Sequence, residues 1–247
     1  MIVELVGPPG AGKSTLLPAT CALLARDGHP ALESTAAVDQ ALRDSRLGRR
    51  LVRLFGDRGR RSRAALVDIP YGILFALRHG VAAREAARAV LSSPVRWEHR
   101  ALLFWRFLSV AARSEFLRSR MGEGAAVFDE GLLHRAVNLF AWRRTGSLAA
   151  ARRYLEAVPP PDLAILVDAP DELISARMER RGLPGRLRGR SRSTVTAFIG
   201  NACAITRMTP DTTRSRVRWI EVQNARDLAS AERGLAQSWD RPEGGTI

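Results

Sequence analysis

The chain has 247 residues, 46% of them apolar, enough to bury a sizeable core and to exclude wholesale disorder. Its formal charge of +14 points to anionic partners: nucleotides, nucleic acid or membrane surface. Two cysteines, Cys21 and Cys203, form no CxxC pair, which argues against a disulfide scaffold or zinc ribbon.

The chain opens on Ile2–Val6, an apolar run that reads as a buried strand. A helix is expected from Gly12 to Arg26, with Pro18 inside it. Further short strands are expected at Pro30–Glu33, Ala125–Asp129, Leu163–Asp168 and Val217–Val222, separated by helical patterns. That alternation predicts an α/β fold of three layers with a five-stranded parallel sheet. From Asp39 to Arg120 no strand signal occurs. The stretch reads as a helical insertion broken at Gly56–Gly59, Ile69-Pro70, Gly80 and Ser93-Pro94. Nine arginines from Arg43 to Arg63 form either a solvated face or an electropositive wall. A last helix is expected over Ala225–Trp239, and residues 241–247 read as a frayed tail. One domain is expected over residues 1–240. The opening strand and the shortness of the apolar runs lead to the expectation of a reduced, cytoplasmic protein without a membrane partner.

Two motifs carry chemistry. Gly7-Pro-Pro-Gly10-Ala11-Gly12-Lys13-Ser14 fits G-x-x-x-x-G-K-[ST] between a strand and a helix, the context of a P-loop. Successive backbone N–H groups of such a loop form an anion nest, and the helix N-terminus adds its positive end. Gly7, Gly10, Ala11, Gly12, Lys13, Ser14 and Thr15 are therefore nucleotide-binding candidates. Lys13 is expected to reach the β- and γ-phosphates, and the Ser14 hydroxyl to meet Mg²⁺. Among 39 basic residues Lys13 is the single lysine, set where a compact ammonium suits better than a planar guanidinium. Second, Ala125-Ala-Val-Phe-Asp129-Glu130 is an apolar strand ending in acids. Asp129 is a metal candidate with Ser14, and Glu130 a candidate to orient a nucleophile.

Beyond these motifs the chain resembles the thymidylate kinase branch of the P-loop kinases. The resemblance is carried by Ala101-Leu-Leu-Phe-Trp with Phe128-Asp129-Glu130-Gly, by Asp162-Leu-Ala-Ile-Leu-Val-Asp168 with Arg177, Arg180 and Arg181, and by Trp219-Ile-Glu-Val-Gln-Asn224. It implies a P-loop NTPase fold, a phosphoryl donor on the loop, an arginine-rich lid over residues 182–192, and Asn224 in the loop that packs on the base. From Arg177 to Arg192 seven arginines accompany glycines and Pro184, a composition suited to stabilising charge on a transferring phosphoryl group. Arg177 and Arg181, one helical turn apart, are the preferred pair.

That family carries an acid inside the P-loop and an arginine after the third-strand Asp. Here Pro8, Pro9 and Glu130 stand there, which favours an acceptor with a neutral hydroxyl over a nucleoside monophosphate. Glu33, with Asp39 behind it, is then the candidate base, alongside Asp129 and Glu130. Arg100, Trp105, Glu130 and His134 are acceptor-side candidates, with Trp97, Phe104 and Phe107 as further pocket aromatics. The expected activity is transfer of the γ-phosphoryl of ATP or GTP, with Mg²⁺, to a metabolite, nucleoside or natural product such as an antibiotic. A thymidylate-like kinase is the enzyme alternative. A nucleic-acid-binding NTPase is the alternative from another class, although no nucleic-acid-binding signature is seen. A homodimer is compatible with this reading.

The lone lysine yields a first test. Lys13→Arg is expected to leave the fold intact and to cut turnover by more than about tenfold, the step given by about 1.4 kcal/mol. A guanidinium would misplace the γ-phosphate, and misplacement costs rate steeply. Circular dichroism and steady-state kinetics on the purified variant read both halves.

Overall fold

The computed structural model describes residues 1–45, 64–142, 147–183, 187–225 and 227–240. Five strands form one parallel sheet: β1 Ile2–Val6, β2 Ala31–Glu33, β3 Ala125–Phe128, β4 Leu163–Asp168 and β5 Arg218–Gln223. Their order is β2-β3-β1-β4-β5, and each neighbouring pair is parallel. Parallel pairs need crossovers, and the helices supply them. They are α1 Lys13–Arg26, α2 Ser34–Asp44, α3 Asp68–Arg78, α4 Gly80–Leu91, α5 Trp97–Arg120, α6 Leu132–Phe140, α7 Ser147–Ala157, α8 Asp171–Arg181, α9 Arg192–Thr213 and α10 Leu228–Trp239.

Alternation along the strands sends side chains to two faces. Val3, Leu5, Ile165 and Val167 meet Leu16 and Leu24 of α1 and Leu235 of α10. Val6, Ala164 and Leu166 pack with a cluster that includes Leu133 of α6, Tyr154 of α7 and Ile205 of α9. Near the β2 edge, Ile2, Ala126 and Phe128 meet Val38 and Leu42 of α2 and Phe116 and Leu117 of α5. The result is the expected three-layer α/β fold.

The strand expectations hold to within a residue at each end. The last helix begins at Leu228, not Ala225, because the Asp227 side chain caps it by accepting from Ser230 N at 2.7 Å. Ile69-Pro70 does not break a helix. Pro70 lies in the first turn of α3, where its missing N–H costs nothing. The break at Gly80 is real, and α3 and α4 meet at 112°. The Gly56–Gly59 break, the arginine run beyond Arg43 and the tail from residue 241 lie outside the described residues. Among the described residues no single helix is long and apolar enough to cross a membrane.

One position interrupts the apolar face under α6. Glu4, in the middle of β1, is only 2% exposed. Burial raises its carboxyl from the ordinary 4.5 to about 7, opposed in part by the His134 and Leu133 amides and by the charges of Arg135 and Arg118. At pH below about 4.5 Glu4 is protonated whether folded or not. Between 4.5 and 7 only the unfolded chain ionises, so folding stability is expected to fall as pH rises through that window, by about 3 kcal/mol in all. Urea titrations across the window should show the decline, and Glu4→Gln should remove this component.

Candidate nucleotide and acceptor cleft

The loop after β1 departs from ordinary backbone at Gly10 and Gly12, with φ of 88° and 99°. L side chains rarely adopt that region, so the glycines permit the turn. Gly12 also precedes α1 directly, and Thr15 N and Leu16 N both donate to its carbonyl. The loop therefore delivers a helix N-terminus at the carboxyl end of the central strand. Lys13 is buried and donates through Nζ to Gly7 O at 2.9 Å and Pro8 O at 3.3 Å. Burial lowers its pKa, while the charges of Glu130 and Asp129 act the other way.

Asn224, at the end of β5, braces the loop from behind. Its amide donates to Ala11 O at 2.7 Å, and its carbonyl oxygen accepts from Arg177 Nη2 at 3.3 Å. A Cβ on Gly12 would overlap that amide nitrogen. Asn224, expected in the loop that packs on the base, lines the cleft, and its side chain holds the phosphate loop and ties it to α8.

Ser14 Oγ donates to Asp129 Oδ2 at 2.6 Å, so the two metal candidates meet across the sheet edge. The other Asp129 oxygen, Oδ1, is buried without a partner. Two hard oxygen donors beside a phosphate loop, one carboxylate oxygen unspent, fit a magnesium ion that keeps waters and phosphate ligands. Among the described residues no group of three or more His, Cys, Asp or Glu could hold a metal by itself.

Glu130 is bound by Arg135, whose Nη2 donates to Glu130 Oε2 at 2.9 Å and to Glu130 O at 3.2 Å. Burial alone would raise the Glu130 carboxyl; the contact with His134 and the charges of Arg135 and Lys13 outweigh it and hold it below the usual carboxylate range. His134 Nε2 lies 3.6 Å from Glu130 Oε1, and its Nδ1 is buried without a partner. Burial, joined by the charge of Lys13, lowers the imidazole from 6.5 to about 4, so His134 is neutral at neutral pH.

These groups open on one cleft of about 870 Å³. The P-loop, Asp129, Glu130 and Asn224 line it, with Arg177, Arg180 and Arg181 of α8 along one side. Gly182, Leu183 and Arg188 of the predicted lid reach it too, and residues 184–186 lie outside the described set. Opposite stand Val95 and the α5 residues His99, Leu102, Leu103 and Arg106, with His134 and Asn138 of α6. The predicted pair Arg177 and Arg181 thus shares the cleft with Lys13, and Arg177 Nη1 is a further buried donor without a partner.

Several base and acceptor-side candidates are absent from the cleft lining. Glu33 caps α2: it accepts from Ala36 N at 3.3 Å and from the Ser34 and Thr35 hydroxyls at 2.9 Å. Thr35 in turn accepts from Arg113 of α5 at 3.5 Å. Asp39 lies within α2, buried and paired with Arg43 at 3.3 Å. Arg100 turns back to donate to Val95 O at 3.0 Å, and Trp105, 44% exposed, is absent from the cleft lining. Trp97 and Phe104 are exposed as well, and Phe107 packs against Phe75 and Tyr154 in the core. The cleft-facing set of α5 is 99, 102, 103 and 106, an i, i+3, i+4, i+7 face. Position 105 falls about 200° away from 103 on that helix. That spacing is legible in the sequence, and the aromatic residues Trp97, Phe104 and Trp105 are not part of it.

Sheet order, phosphate loop and the arginine-bearing helix across the cleft define a P-loop kinase fold. No family model matches the chain, and no curated protein matches it. Among solved structures it is similar to deoxyadenosine kinase from M. mycoides with bound dATP, at 12% identity over 98% of this chain and 100% of that one, with a TM-score of 0.48. The same enzyme with bound dCTP aligns at 11% identity over 96% and 97%, with a TM-score of 0.48. TT1252 from Thermus thermophilus aligns at 22% identity over 96% and 95%, with a TM-score of 0.37. The fold assignment rests on the chain's own sheet order and phosphate loop.

The Ser14–Asp129 contact generates a second test. Ser14→Ala and Asp129→Asn should each weaken Mg²⁺-dependent nucleotide binding, with Asp129→Asn costing little stability. Isothermal titration of nucleotide at stepped Mg²⁺ concentrations reads the effect, and an unchanged Mg²⁺ dependence in Asp129→Asn would remove Asp129 from the metal.

Proposed function

We propose that the protein is a P-loop small-molecule kinase that moves the γ-phosphoryl of ATP or GTP to the hydroxyl of a small acceptor. The observation that supports this most is the convergence of Lys13, the acids Asp129 and Glu130, and the arginines of α8 on one cleft. Phosphoryl transfer proceeds through a loose transition state, so positioning and charge neutralisation supply most of the rate. The phosphate loop would hold the donor phosphates, with Lys13 toward the group transferred. Arg181, exposed at the end of α8 on the cleft wall, would meet charge developing on the transferring oxygens. Magnesium, held by Ser14, Asp129 and the nucleotide, would neutralise phosphate charge.

The acceptor then lies between the P-loop and the wall formed by α5 and α6. Leu102 and Leu103 offer it an apolar surface, and His99, Glu130 and His134 offer polar contacts. Glu130 replaces Glu33 as the acid that meets the acceptor hydroxyl, since Glu33 is engaged as a helix cap. A carboxylate held below the usual range is a weak base. Its work is to accept the hydroxyl's hydrogen bond and orient the oxygen, which suffices when little proton transfer is needed. A nucleoside fits this mixed wall; no residue of the cleft singles out an antibiotic.

A phosphorylated acceptor is the second reading, favoured by Arg106, which lines the acceptor wall with no ion-pair partner among the described residues. Glu130→Gln separates the two. It should lower kcat by about a hundredfold with a hydroxyl acceptor and far less with a phosphate acceptor, while Glu33→Gln should leave kcat near wild type with either. The deciding measurement is a screen with labelled ATP and GTP against nucleosides, nucleoside monophosphates and hydroxyl-bearing natural products. Hydrolysis that is stimulated by oligonucleotides, with no acceptor phosphorylated, would overturn the kinase reading.

A further inference from the structure

An α-helix leaves the N–H groups of its first turn without intrahelical acceptors. The residue at the N-cap ordinarily supplies one from its side chain. At the head of α6 the N-cap is Gly131, which has none. The acceptor comes from 127 positions earlier in the chain: Glu4 Oε1 takes the His134 N–H at 2.6 Å. That amide occupies the third position of the helix, one that a local cap would serve.

Glu4 and Gly131 are complementary in space. A Cβ on Gly131 would overlap the Glu4 carboxyl, so a side chain there and the buried acid exclude each other. The carboxyl also sits where the helix's N-terminal partial charge favours an anion. The remaining backbone of the turn is held from another side, by Tyr154, whose hydroxyl donates to Leu132 O at 3.0 Å. Just upstream is the acid loop, and one residue into the capped turn is Arg135, which grips Glu130.

We propose that Glu4 is a positioning residue: capping α6 from the central strand, it fixes the Asp129–Gly131 loop and through Arg135 and His134 the orientation of Glu130. The effect on turnover rests on the phosphoryl-transfer reading above; the capping itself does not. In β1, Glu4 faces away from the cleft and is absent from its lining, so it acts on the acceptor side only through the loop. The donor side, built on the P-loop and α8, is outside its reach.

The test is a transplanted cap. Glu4→Ala should lower kcat by about tenfold or more, leave the donor KM within about twofold, and speed amide hydrogen exchange at His134. Glu4→Gln keeps an acceptor at the same place and should retain kcat within about threefold. Gly131→Ser alone should be impaired, because its side chain meets Glu4. The double variant Glu4→Ala with Gly131→Ser supplies a local cap in the space vacated and should exceed both single variants in kcat and regain slow exchange, a non-additive recovery. Glu4→Leu, which keeps the volume, takes the place of Glu4→Ala if the latter does not fold. Wild-type kcat in a folded Glu4→Ala or Glu4→Leu, or a double variant no better than the sum of its parts, would overturn the proposal. If the wild type phosphorylates no acceptor, the functional reading fails; exchange at the His134 amide still decides the cap, sinking it if Glu4→Ala leaves that amide protected.

Discussion

All five strands run the same way, so their carboxyl ends arrive at one edge of the sheet. Everything in the cleft follows from that constraint. Gly7 leaves β1, Asp129 follows β3, and Asn224 follows β5, residues far apart in the chain that share one cleft or its rim. The edge is where strand backbone stops and loops begin, so polar groups there are free to face a ligand. The phosphate loop needs support at such an edge, because its left-handed glycines have no sheet partner. Asn224 gives it, by donating to Ala11 O from the end of β5.

The cleft's charges are arranged in opposition. Lys13 is buried, and Asp129 and Glu130 stand close enough to favour its charged form against desolvation. Glu130 is held ionised by the cations around it, and His134 beside it is kept neutral. The arginines of α8 stand across the gap. Such a site is balanced for a ligand that brings both negative charge and hydrogen-bonding groups, which is the chemistry of a nucleotide beside a polar acceptor.

The lateral supports reach well beyond the motifs. Glu33 closes the head of α2 and, through Thr35 and Arg113, joins it to α5. Arg113 in turn lies 3.4 Å from the buried Asp68, to which Ser109 donates at 2.7 Å. A carboxylate at a strand end therefore became part of the scaffold that carries the acceptor wall. Its residue type and place after a strand are those of a catalytic acid, and nothing in the local sequence distinguishes the two uses. The distinction depends on which N–H groups are nearest, and Ala36 N is supplied by the helix that follows.

Features encoded among near neighbours in the chain were legible before any tertiary contact. The alternation of apolar runs and helical periods set five strands to within a residue, because strand burial and helix amphipathicity act over a few neighbours. The spacing of Gly7, Gly10, Gly12 and Lys13 set the phosphate loop, because its backbone needs glycine at particular positions. Which face of α5 looks into the cleft came from packing, since rotation of a helix depends on what lies behind it; with Phe107 against Phe75 and Tyr154, Leu103 and Arg106 line the cleft and Trp105 does not. Tertiary contacts likewise settled that Glu33 caps a helix while Glu130 enters the cleft. Glu4 carried a local signal, a lone acid in an apolar strand, but its meaning lay in the His134 amide, which only the folded sheet brings to it.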